Sequence, residues 1–128
     1  MHWADHAAKI LSRRGSKQTI ASGITPSGSF HIGHLREILT AEMIHRACQD
    51  IGLESRYVFI VDSMDPLRRV YSFLHEDYNE YIGHPLAFVP APNRQGKPDS
   101  SLGSYSDYFL KPFLLSLIHI SEPTRRLN

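Results

Sequence analysis

A short apolar run, Thr19-Ile20-Ala21, gives way to the small and turn-forming stretch Gly23-Ile-Thr-Pro-Ser-Gly28, after which apolar residues recur at Leu35, Leu39, Met43, Ala47 and Ile51. Steps of four predict one face of an amphipathic helix, so the pattern reads as a strand over 19–23, a loop, and a helix over 31–50 stopped by Gly52. Arg56-Tyr-Val-Phe-Ile-Val61 is almost continuously apolar, the pattern of a strand buried inside a parallel sheet. Strand, helix and strand together predict a βαβ unit and an α/β fold. Upstream, Trp3, Ala7, Ile10 and Leu11 define one side of a helix over 3–14, with Gly15 as its stop. Downstream, Leu67 to Tyr78 reads as another helix. From Glu80 to Asp99 the prolines Pro85, Pro90, Pro92 and Pro98, with Gly83 and Gly96, exclude long regular structure, and a helix opens again at Ser104-Tyr-Ser-Asp-Tyr-Phe109.

Composition narrows the class. The chain has 128 residues, 41% hydrophobic and 21% charged, which suits one soluble globular domain or part of one. No segment is apolar enough to span a bilayer, and the N-terminus lacks a signal-peptide core. The lone cysteine, Cys48, excludes an internal disulfide framework and fits a cytoplasmic location. A net charge of +1 is far from the basic bias of a stand-alone nucleic-acid binder, so any nucleic-acid contact is expected to be local.

The corner between the first strand and its helix carries the chemistry. Pro26 stiffens the loop, Gly28 admits close approach of a ligand, and His31 and His34 fall at the start of the helix, where unpaired N–H groups and the dipole favour anions. Three residues apart, the two imidazoles share a face and can both donate to a phosphate oxygen, while Gly33 between them leaves room for a base or ribose. A metal pair or a solvent-facing pair are the alternatives, and Cys48 supplies no zinc-ligand spacing. Asp62 and Asp65 follow the second strand at the carboxyl edge, where open α/β sheets bind ligands and a carboxylate can hold an ammonium group. Asp65, before Pro66, also suits a turn or a helix cap. Arg36 reads as a solvated residue, with a phosphate contact as the alternative, and Arg68-Arg69, at a helix start, as a surface pair with a nucleic-acid-end or phosphate contact left open, while Cys48 reads as core and His45 as surface.

Pro26-Ser27-Gly28 followed by His31-Ile32-Gly33-His34 resembles the HIGH signature of class I aminoacyl-tRNA synthetases. With His2-Trp3-Ala4-Asp5, the run from Ser22 to Gly28, and Tyr81-Ile-Gly-His-Pro-Leu86, the stretch from His2 to about Phe113 resembles the N-terminal part of class I lysyl-tRNA synthetases. The resemblance implies a partial Rossmann-like nucleotide-binding domain with parallel strands. It also implies ATP-dependent activation of lysine to lysyl-adenylate and transfer to tRNA(Lys), with Mg²⁺ accompanying ATP and no protein metal ligand assigned. His31 and His34 would be catalytic. Pro26, Ser27, Gly28, His31, Gly33 and His34 would bind ATP, and Gly23, Thr25, Asp62 and Asp65 the amino acid. Ala21 stands where glutamate-specific relatives carry a carboxylate-reading arginine, which favours a cationic substrate. Tyr108 stands where the family pattern has a histidine. No Lys-Met-Ser-Lys-Ser-like loop occurs, so this polypeptide alone is expected to be inactive. Another class I synthetase, a HIGH-type nucleotidyltransferase, or a non-catalytic nucleotide-binding remnant are the other readings.

From Leu115 to Arg125 the sequence looks like the conceptual translation of a transposase adapter used in sequencing libraries. The expectation is therefore a native part over 1–113 and a non-native tail over 114–128, in which His119 has no function.

Overall fold

A computed structural model describes the backbone of residues 1–127 and the side chains through residue 117, so the expectation for His119 lies outside the described side chains. The chain forms two compact units, Met1–Ile24 with His31–Val61, and Thr25–Phe30 with Asp62–Asn128.

The first unit contains α1 (Trp3–Ser12), β1 (Lys17–Ile24), α2 (Ile32–Asp50) and β2 (Glu54–Val61). β1 and β2 run parallel, with Thr19 opposite Arg56 and Gly23 opposite Ile60, which establishes the expected α/β arrangement. The His2 ring caps α1 by accepting the Ala4 N–H at 3.2 Å. Gly52, at φ +83°, turns the chain out of α2 in the left-handed conformation that glycine adopts without a steric cost.

The faces of these elements differ from the sequence expectation. On α1 the buried residues are Ala4 and Ala8, while Trp3 and Ile10 are exposed. On α2 Leu39 and Met43 are 40% and 38% exposed, and Ile38, Ala41, Ala47 and Cys48 are buried instead. The cause is geometric: each step of four overshoots a turn by about 40°, so the row from Leu35 to Ile51 winds roughly 160° around the helix. No single contact could cover it. The helix packs through its small residues, and Ala4, Ala8, Ala47 and Cys48 form one core, flanked by Leu11, Ile44 and Leu53. β2 is also less covered than its apolar run suggests, with Ile60 54% exposed. Among the described residues its sheet has two strands, with β2 paired only to β1. His45, expected at the surface, is half-buried, and its Nδ1 lies 2.7 Å from the Ser55 hydroxyl.

In the second unit the helix expected over Leu67–Tyr78 does not form. Leu67 is held in an extended pairing, its N–H donating to the His84 carbonyl at 2.9 Å and its own carbonyl accepting from Gly83 at 2.8 Å. Pro66 forms an isolated bridge to Pro85. These bonds to a distant segment replace the helical ones, and only a 3₁₀ turn over Glu76–Tyr81 appears. Arg68 and Arg69 therefore start no helix; Arg69 lies over the Tyr71 ring at 5.0 Å. The proline-rich stretch contains only short elements, as expected, but two of them pair: β3 (Pro90–Pro92) and β4 (Pro98–Ser104) form an antiparallel hairpin. Prolines fit there because a two-stranded ribbon leaves half of its backbone donors unused. Gly96 closes the hairpin at φ +77°, where an added Cβ would meet the Phe73 carbonyl at 2.7 Å. α3 (Tyr105–Leu127) follows, starting where the sequence places it. The core of this unit is Leu67, Leu74, Tyr78, Leu86, Val89, Tyr105 and Phe109. Among the described residues no helix is long and apolar enough to cross a membrane.

Candidate active site

Gly23, His31, Gly33 and His34 belong to the first unit, and Thr25, Pro26, Ser27, Gly28, Asp62 and Asp65 to the second. In the first, His31 is the N-cap of α2, in extended backbone geometry, and the two histidines cap the helix reciprocally. The His31 Nδ1 accepts the Gly33 N–H at 3.0 Å, and the His34 Nδ1 accepts the His31 N–H at 3.1 Å. Their rings stack with centroids 4.0 Å apart. Because both Nδ1 atoms accept, both neutral rings carry their proton on Nε2, and the His31 Nε2–H is presented at an exposed position. Burial, then the adjacent His31, push the His34 pKa below its ordinary value, with Glu37 partly opposing them. His34 is therefore held as a neutral N–H donor. Gly33 has a second reason to lack a side chain, since a Cβ there would lie 2.8 Å from the His31 ring.

Glu37, one turn beyond His34, is a residue the sequence reading leaves off the site. Its Oε1 accepts the Gly23 N–H at 3.2 Å, tying α2 to the end of β1. Beside it a groove of about 370 Å³ is lined by Ala21, Ser22, Gly33, Arg36, Glu37 and Thr40, among others. The spacing of three from His34 was the available signal. Gly23 itself is fixed by packing, as a Cβ would stand 2.8 Å from the Ile60 carbonyl.

In the second unit the Ser27 N–H donates to the Thr25 carbonyl at 2.8 Å, a tight turn around Pro26, whose fixed φ suits it. Thr25 Oγ1 donates to Asp65 Oδ2 at 2.6 Å, so two of the predicted amino-acid-binding residues are bonded to each other. Asp65 caps no helix; its carbonyl accepts the Leu86 N–H. Asp62 is exposed. Gly28 lies against Phe73, where a Cβ would come within 3.2 Å of the ring. The buried Tyr105 donates its hydroxyl to the Ser27 carbonyl. Neither Phe73 nor Tyr105 could be found from motif spacing. Among the described residues no three histidine, cysteine or acidic side chains gather to hold a metal.

A parallel βαβ unit whose helix is capped by a pair of histidines defines an α/β protein. The comparison with protein families settles which one: a model for tRNA synthetases class I (K) matches residues 1–125, and the chain belongs to that family. It is 50% identical over 123 residues to a lysine–tRNA ligase of Archaeoglobus fulgidus, covering 96% of this chain and 24% of that protein. It is 44% identical over 117 residues to lysine–tRNA ligase 1 of Methanosarcina acetivorans, covering 91% and 21%. To the lysine–tRNA ligase of Thermoplasma acidophilum it is 43% identical over 125 residues, covering 98% and 23%. The chain thus spans less than a quarter of the length of these relatives, and the resemblance seen in the sequence is borne out.

Proposed function

We propose that this chain is the part of a cytoplasmic lysine–tRNA ligase that carries the first ATP-binding element and part of the amino-acid pocket. The reaction is attack of the lysine carboxylate on the α-phosphorus of ATP, releasing pyrophosphate, followed by transfer of the lysyl group to tRNA(Lys). The observation that carries this reading is the reciprocal histidine cap, which fixes both tautomers and so prepares donors for charge developing on the phosphates. Such catalysis is positioning and charge stabilisation, without a covalent protein nucleophile. Asp62 would hold the α-ammonium of lysine, and Ala21, by leaving out a cation, would admit a cationic side chain. Within the second unit, Thr25 and Asp65, bonded to each other, would also contact the amino acid. Mg²⁺ would arrive with ATP; with no protein ligand set for it among the described residues, no step is assigned to it.

The test has two stages. Adapter-free long-read sequencing across the codons after Phe113 gives the complete reading frame, and also decides whether residues 114–128 are a non-native tail. In the complete product, lysine-dependent ATP–pyrophosphate exchange is expected. His34→Ala should lower the activation rate by roughly 3–4 kcal/mol in transition-state stabilisation, as for other oxyanion donors, while lysine affinity holds. Equal loss of both would make His34 structural, and activation of glutamate or arginine in place of lysine would overturn the substrate assignment.

A further inference from the structure

The loop Thr25–Phe30 has no regular secondary structure, so its shape is imposed from outside it. Three contacts within its own unit do so: Thr25 to Asp65, Gly28 against the Phe73 ring, and the Ser27 carbonyl to the Tyr105 hydroxyl across 78 residues of sequence. Of these Tyr105 is the most rigid anchor. It is fully buried, its N–H donates to the Val89 carbonyl at 2.6 Å, and its ring packs against Phe109 at 4.7 Å and Tyr78 at 6.0 Å. Burial raises its pKa, so the hydroxyl stays protonated.

The direction of this bond matters because a peptide is planar. With no cis peptide among the described residues, the Ser27 carbonyl and the Gly28 N–H share one plane and point in opposite directions. Turning the carbonyl toward Tyr105 turns the N–H away from it. The Gly28 N–H has no hydrogen-bond acceptor among the described residues. We propose that Tyr105 is a positioning residue: by fixing the Ser27–Gly28 peptide, its hydroxyl aims the Gly28 N–H as a donor to a phosphate oxygen of the nucleotide. This deepens the ligase reading and rests on it for the identity of the nucleotide. A buried phenol that orients a backbone donor costs no reorganisation when the ligand arrives, which is the condition under which such donors are most effective.

Tyr105→Phe tests it, because the ring stays and only the hydroxyl is lost. In the complete enzyme the variant should show kcat/KM for ATP lowered about tenfold, with KM for lysine unchanged, since a small misplacement of a binding group is enough for such a loss. Unchanged ATP kinetics would overturn the proposal, and so would a fall in the parameters of both substrates together with the melting temperature, which would mark a merely structural tyrosine. Should the wild type show no lysine-dependent exchange, the ligase reading fails and not this one. Equilibrium dialysis with radiolabelled ATP then decides: weaker binding by Tyr105→Phe than by wild type supports the positioning role, and equal binding refutes it.

Discussion

In the first unit four regular elements bury mostly small side chains, Ala4, Ala8, Ala41, Ala47 and Cys48, and leave Trp3, Ile10, Leu39, Met43 and Ile60 exposed. In the second unit the backbone before α3 is turns, short 3₁₀ segments and the β3–β4 hairpin, yet it supplies Tyr78, Leu67 and Leu86 to a core that α3 completes with Tyr105 and Phe109. Regular backbone and a large apolar core are thus separable. Helices and a parallel pair need only backbone bonds and close approach, and alanines supply the approach. An irregular segment has few repeating bonds, so large rings with many dispersion contacts must hold it. The candidate residues show both regimes: in the first unit the histidines are fixed by helix capping, and in the second the Pro-Ser-Gly turn is fixed by aromatic packing.

The comparison makes the two units respond oppositely to substitution. The largest effect should follow truncation in the second: Tyr78→Ala removes a fully buried ring and its hydroxyl bond to the Pro90 carbonyl, and should cost about 3–5 kcal/mol in a urea melt. A cost under about 1 kcal/mol would show that the ring cluster is not what stabilises this unit. In the first unit enlargement should be the damaging change. Ala8→Leu, at the contact with Ala47 and Cys48, is expected to lose about 1–3 kcal/mol by overpacking, whereas Met43→Ala on the exposed face should stay within about 0.5 kcal/mol. The reverse order would restore the face that the step-of-four row suggests.

The smallest effect is the pH response of the histidine cap. His34 has its pKa lowered in the fold, so on acidification the unfolded chain takes up the proton first. Stability is therefore full above the ordinary value of 6.5, declines as pH falls from there toward the lowered native value, and levels off below it. Urea midpoints at about pH 7.5 and about pH 5.5 should differ in that direction in the wild type and converge in His34→Ala. A midpoint that rises on acidification would contradict the assignment of neutral, stacked rings.

Much of the first unit was legible because its cues are local. Apolar runs and helix stops located α1, β1, α2 and β2, and the Pro-Ser-Gly loop with His31 and His34 gave the candidate site and the family. Which face of each helix is buried was not legible, because Leu39 and Met43 are as apolar as Ile38, and only the partner decides between them. In the second unit Leu67, Tyr71, Leu74 and Tyr78 repeat at helical spacing, yet Gly83 and His84 claim the Leu67 backbone. No window around residue 67 contains that information.

The sequence by itself determined the α/β order of elements, the two histidines at the start of α2 and membership among the class I synthetases for lysine, because propensity and motif spacing act over a few residues. Tertiary structure alone decided that small residues form the first core, that Leu67 pairs in place of coiling, and that Tyr105 reaches back 78 residues to the Ser27 carbonyl. The physical reason is that burial and hydrogen-bond satisfaction are settled between segments distant in the chain.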